Sequence, residues 1–184
     1  SQVYGGGGNA SSTYTNDFVE IFNRGTTTID FSVTPYSVQY AAATSNFSTN
    51  KTDIASGTLL PGHYFLIREA SGGANGVALP TPDVSGGTIN MSATAGKVAL
   101  VSGTTNLTGT GCPLGGFVVD FLGYGATANC SESAPIAVSG TNSNARSVIR
   151  TNSCVDTNNN SADFSNPATA PVARNSVTTP TLCP

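Results

Sequence analysis

The sequence predicts an all-β sandwich or barrel, and three observations carry that prediction. Short runs of β-branched and aromatic residues recur along the chain, clusters of Gly, Asn, Pro and Ser separate them, and a 3.6-residue apolar period is nearly absent. No long helix is expected. The candidate strands are residues 2–4, 17–23, 28–31, 37–42, 63–68, 97–101, 118–123 and 145–150. In 17–23, alternation places Phe18, Glu20 and Phe22 on one side and Val19, Ile21 and Asn23 on the other, so neither face is cleanly polar. That strand is expected to be central and buried on both faces, with Glu20 requiring a partner.

The punctuation between runs is equally regular. Glycines 5–8, Asn23-Arg24-Gly25, Leu60-Pro61-Gly62, Gly72-Gly73, Gly86-Gly87 and Gly115-Gly116 permit the positive φ of turns and read as flexible loop tips. Residues 69–96 and 102–116 are long Gly/Ala/Thr-rich connections. From Ser165 the chain reads SNPATAPVARNSVTTPTLCP, an extended proline-rich tail. The organisation expected is one domain, with a sandwich over 1–164 and a tail over 165–184 tethered by Cys183.

Composition narrows the function. The chain has 184 residues, 38% of them hydrophobic, with a net charge of −3. It is too apolar and too weakly charged to be disordered, and long enough to bury about 70% of its extended surface. Seven basic residues, scattered without a run, leave no footprint for a phosphate backbone. No apolar stretch approaches the ~20 residues that cross a bilayer, and no basic-then-apolar leader precedes Ser1, a start that signal-peptide removal also leaves.

Cys112, Cys130, Cys154 and Cys183 show no C-x-x-C spacing, and His63 is the single imidazole, which disfavours zinc. Paired cysteines with abundant Ser, Thr and Asn point to a secreted protein. Three connectivities are open. The local pairs, Cys112 with Cys130 and Cys154 with Cys183, are favoured, closing loops of about 20 and about 30 residues for roughly 3–4 kcal/mol each. Seven Asn-x-Ser/Thr sequons begin at Asn9, Asn46, Asn50, Asn90, Asn106, Asn129 and Asn159.

Several segments together carry a family likeness: SQVYGGGGN at 1–9, TNDFVEIFNRGTTTIDFS at 15–32, YSVQYAAAT at 36–44, LLPGHYFLI at 59–67, INMSATAGKVALVSGTT at 89–105, VVDFLGYGATANC at 118–130 and DTNNNSADF at 156–164. In this order they cover most of the chain and resemble the bacterial lamin-tail domain. The resemblance implies an immunoglobulin-like β-sandwich with long Gly/Thr/Asn-rich loops and two disulfides. It also implies a place in secreted or cell-surface proteins, often beside nucleases or phosphatases, as an attachment or interaction module. Two departures stand out. Tyr36 replaces the family's usual Trp, and its hydroxyl needs a partner. The apolar residues that family members carry before the position of Ser1 are missing, which is expected to leave part of a neighbouring edge unpaired.

The constellations point away from catalysis. His63 follows a turn at a strand mouth, without a G-x-S-x-G elbow, and reads as structural. Asp17 and Glu20 sit three apart on a strand and should face opposite ways, which defeats a paired-carboxylate site. Glycines 5–8 lack the following Lys-Ser/Thr of a phosphate loop. Tyr14, Tyr36, Tyr40 and Tyr64 read as core or cross-strand residues rather than a sugar platform. Asp156, Asn158, Asn160 and Asp163 offer alternating oxygen donors for Ca²⁺, although Ser161 replaces an EF-hand's Gly and Pro167 its Glu. The same residues suit an Asx-rich turn, which this composition favours. No other cofactor is expected. The function expected is a non-catalytic extracellular module acting through protein partners, or through self-association at open strand edges as a subunit of a filament or surface layer. The alternative is an accessory domain of a secreted hydrolase.

Overall fold

Each of the eight expected runs contains a strand in a computed structural model, which describes residues 1–184. In chain order the strands are β1 (Gln2–Tyr4), β2 (Phe18–Phe22), β3 (Ile29–Asp30), β4 (Tyr36–Ala42), β5 (Lys51–Ile54), β6 (Thr58–Leu59), β7 (Tyr64–Arg68), β8 (Gly96–Ser102), β9 (Val118–Tyr124), β10 (Val148–Arg150) and β11 (Phe164–Ser165). A one-turn helix, α1 (Asn160–Asp163), precedes β11. Strands β5, β6 and β11 were not anticipated. The first carries two charges in four residues, and the others are two residues long, too short to show a period.

All named strands pair antiparallel, in two main sheets ordered β11-β10-β1-β2-β7 and β5-β4-β8-β9, with β3 and β6 forming a separate ribbon. Val3, Val19, Ile21, Phe65 and Ile67 of the first sheet pack against Val38, Tyr40, Val98, Leu122 and Tyr124 of the second. This shared core makes the architecture a sandwich. Its two outer faces are also covered. Phe47, Ala99, Val101, Phe121 and Cys130 form a second cluster, joined by Leu107 from the connection after β8. Tyr4, Phe18 and Leu66 form a third, closed by Ala173 of the tail. Strands covered on both sides lose the alternation of half-buried ones, which explains the apolar runs FVEIF and KVALV.

Strand β2 lies between β1 and β7, and Glu20 is fully buried. Its partner comes from the tail: Arg174 donates to Oε1 at 2.6 Å and, through its side-chain and backbone nitrogens, to Oε2 at 3.1 and 2.8 Å. The tail is therefore packed, and β11 spans the boundary expected at 164/165. The cysteines pair as favoured, Cys112 with Cys130 and Cys154 with Cys183. No helix is long and apolar enough to cross a membrane.

Glycines 5–8 correct the sequence reading. They are buried, not a flexible tip. A Cβ on Gly7 would lie 2.1 Å from the backbone carbon of Asn16, and one on Gly6 2.4 Å from the backbone oxygen of Asn144. The absent side chains let three backbone segments meet, a requirement of close approach added to that of turning, which Gly8 meets at φ 75°.

Candidate functional site

Arg150, at the end of β10, gathers the acidic residues of its neighbourhood. Its Nη2 donates to both carboxylate oxygens of Asp120 of β9, at 3.0 and 2.8 Å, and so joins the two sheets. It also donates to Asp163 at 3.3 Å and to the Val155 carbonyl at 3.1 Å, lies 3.4 Å from Asp156, and stacks 4.4 Å from the centre of the Phe164 ring. Burial works against its charge, yet Asp120, Asp156 and Asp163 raise its pKa above the ordinary arginine value. For Asp163, burial pushes upward, but two bonds from Thr157 and the Arg150 charge outweigh it and hold the carboxyl below its usual value.

The four residues named as Ca²⁺ donors turn to different partners. Asp156 pairs with Arg24 at 3.2 Å, and Asp163 turns to Thr157 and Arg150. Asn158 adopts φ 54° and donates its N–H to Asp156, the Asx-turn geometry. Asn160 is fully buried and turned the other way. Its amide donates to the Phe121 carbonyl and Glu132 and accepts from the N–H groups of Gly123 and Glu132. A guanidinium sits among the carboxylates, and no group of three or more His, Cys, Asp or Glu side chains is arranged to hold a metal. Beside it, burial, reinforced by Asp120 and Asp156, pushes Glu132 up to about 7.

A cavity of about 230 Å³ opens next to this cluster, between the sheets at the start of β1. Ile21, Phe22, Val98, Leu100 and Leu122 line it, with Arg24 and Asp156 among its polar residues. The register of β1 on β2 runs from Tyr4↔Phe18 to Gln2↔Glu20, so Ile21 and Phe22 pair with β7 alone. Tyr36 also lines the cavity, edge-on to Phe31, and its hydroxyl makes no hydrogen bond within the chain. The lining suits an apolar side chain rather than a polar substrate.

The remaining candidates are dispersed. His63 bonds through Nδ1 to the Ser176 carbonyl at 3.0 Å, holding the tail. Asp17 and Glu20 face different partners. Tyr14 packs with Tyr4 and Phe18, Tyr64 packs with Phe22 and under Arg174, and Tyr40 accepts the Ser92 N–H. Of the sequons, Asn46, Asn50, Asn90 and Asn129 are exposed. Two features escaped sequence reasoning. Asp17 and Glu69 are buried acids receiving N–H groups from the 89–91 segment. Lys97 is fully buried and donates to the carbonyls of Ser45 and Gly111 and to Asn129 Oδ1, at 2.7, 2.9 and 2.5 Å. A lysine opening an apolar strand is the only signal that pointed there. No protein-family model, curated protein or solved structure matches the chain.

Proposed function

We propose that the chain is a non-catalytic extracellular module of lamin-tail type, an immunoglobulin-like sandwich that works by contact and self-assembles as a structural subunit of a filament or surface layer. One observation carries the reading. Buried Asp163 and Glu20 are paired within the chain by Arg150 and Arg174, and Lys97 by two carbonyls and Asn129, whereas Phe117 and Val119, with Leu114 shortly before them in sequence, stand exposed at the start of edge strand β9. Surface apolar residues grouped at an edge mark contact with another protein. Two disulfides support an oxidising, extracellular setting.

Light scattering and electron microscopy of the purified chain test this. Concentration-dependent assembly is the expected result. A strictly monomeric chain up to roughly 1 mM, where small contacts become populated, would remove self-assembly.

A further inference from the structure

The sheet edges of this molecule differ in how they are protected. Along β7 runs the 83–87 segment: Arg68 N donates to Val84 O at 2.8 Å, Val84 N to Leu66 O at 3.1 Å, and Leu66 N to Asp83 Oδ2 at 2.7 Å. At the opposite edge β11 is two residues long, and Pro167 follows. In the second sheet, edge strand β5 carries the charges of Lys51 and Asp53. Short strands, covering segments and charge are the ordinary means of blunting an edge.

Strand β9 is protected over only half its length. Asn160 donates to Phe121 O and accepts from Gly123 N, while Ile136 N donates to Gly123 O at 3.1 Å. From Phe117 to Asp120 there is no such cover. Apart from β8, the stretch's backbone is met by a local turn bond from Val118 N to Gly115 O, while Arg150 holds the Asp120 side chain. Phe117 and Val119 are 74% and 52% exposed, and Leu114, three residues before Phe117 in sequence, is 51% exposed. The register shift between Leu100 and Val101 leaves Val119 as the extra residue of a bulge, which confines any added strand to this short stretch.

We propose that this half-edge pairs antiparallel with the same half-edge of a second copy, about a two-fold axis. The proposal rests on the self-assembly reading above and names its contact. Charge selects the occupant. The stretch has no lysine, and its one carboxylate, Asp120, is neutralised by Arg150 of the same chain. Two molecules of net charge −3 therefore meet here without like charges opposed. A register centred on Val118 sets Phe117 of each copy opposite Val119 of the other, a favourable aromatic and β-branched cross-strand pair made twice. So short a contact covers far less than the roughly 800 Å² per partner of a standard interface, so the association is weak. A two-fold contact closes on itself, so it yields pairs, and a filament needs a second, different contact.

Sedimentation equilibrium up to roughly 1 mM tests the pairing on the wild type, Val119→Lys, Phe117→Lys and, as a control on another edge, Asp53→Lys. The expected result is a weak monomer–dimer equilibrium, weakened about tenfold or more by either edge lysine and unchanged by the control. Thermal melts check that each variant folds. Both edge side chains are exposed, and if one variant fails the other makes the same test. Self-association that ignores both edge lysines would overturn this pairing and leave the self-assembly reading standing. A wild type that stays monomeric would overturn both.

Discussion

Two sets of buried carboxylates in this molecule are held in opposite ways. Asp17 receives the N–H groups of Gly7 and Met91 at 2.8 and 2.7 Å, and Glu69 receives Thr52 Oγ1 and Ile89 N at 2.8 and 3.0 Å. No cation is among these partners, Glu69 Oε1 has none, and burial pushes both carboxyls up to about 7. Asp163 also receives two donors, from Thr157, but lies beside Arg150 and stays below its ordinary value. At Asp17 and Glu69 the neutral donors do not offset the loss of water around the charge, whereas at Asp163 the Thr157 donors, joined by the Arg150 charge and the Asn159 contact, outweigh it.

Removing the cation is the strongest way to break this contrast. Arg150→Met leaves Asp163 buried and Asp120 without its cation, for an expected loss of about 3–5 kcal/mol. Calorimetry should show the melting temperature fall by roughly 10 °C. A loss under about 1 kcal/mol would mean that the cluster holds nothing together.

Glu20 is the intermediate case, since its cation arrives on the tail that Cys183 anchors. The double replacement Cys154→Ser, Cys183→Ser is expected to cost about 2–4 kcal/mol through loop closure alone. If freeing the tail also releases Arg174, urea unfolding will show a larger loss, and the excess disappears in a chain already carrying Arg174→Ala. Additive losses would show instead that the Arg174 clasp holds without its staple.

The acids with neutral partners give the pH dependence, and the sign follows from their raised values. Asp17 and Glu69 ionise near 4 when unfolded and at about 7 when folded, so their stabilising contribution is complete below about pH 4. It declines as pH rises through about 7 and is flat above. Asp163, with a lowered value, acts the other way and loses its contribution in strong acid. Maximum stability is therefore expected on the acid side of neutral. Glu69→Gln removes one share of the decline and should stabilise the chain at pH 8 by up to about 3 kcal/mol relative to its effect at pH 4. Parallel urea curves for variant and wild type across that range would refute the assignment.

What was legible in the sequence divides along the same physical line. Strand β2 could be placed and its need for a partner at Glu20 stated, because alternation is a local property. That the partner is Arg174, far along the chain, is a fact of topology. Asp156 and Asp163 were seen as a cluster because they are close in sequence. Arg150, just before them, was passed over as the end of a strand, and Asp120 lies on the other sheet. Glycines 5–8 were misread because a run of glycine signals freedom when isolated and crowding when neighbours press in, and only the fold shows which.

The smallest effect tests whether burial or distance sets the worth of a charge pair. Lys51 approaches Asp53 at 2.6 Å, nearer than any Arg150 nitrogen comes to a carboxylate, but the Asp53 side chain is 44% exposed. Solvent screens such a pair, and Lys51 keeps its bond to the Thr104 carbonyl when Asp53 is lost. Asp53→Asn is therefore expected to shift stability by less than about 0.5 kcal/mol in urea unfolding, and less still at high salt. A loss matching that of Arg150→Met would make distance the governing quantity and undo the contrast between buried and exposed charge.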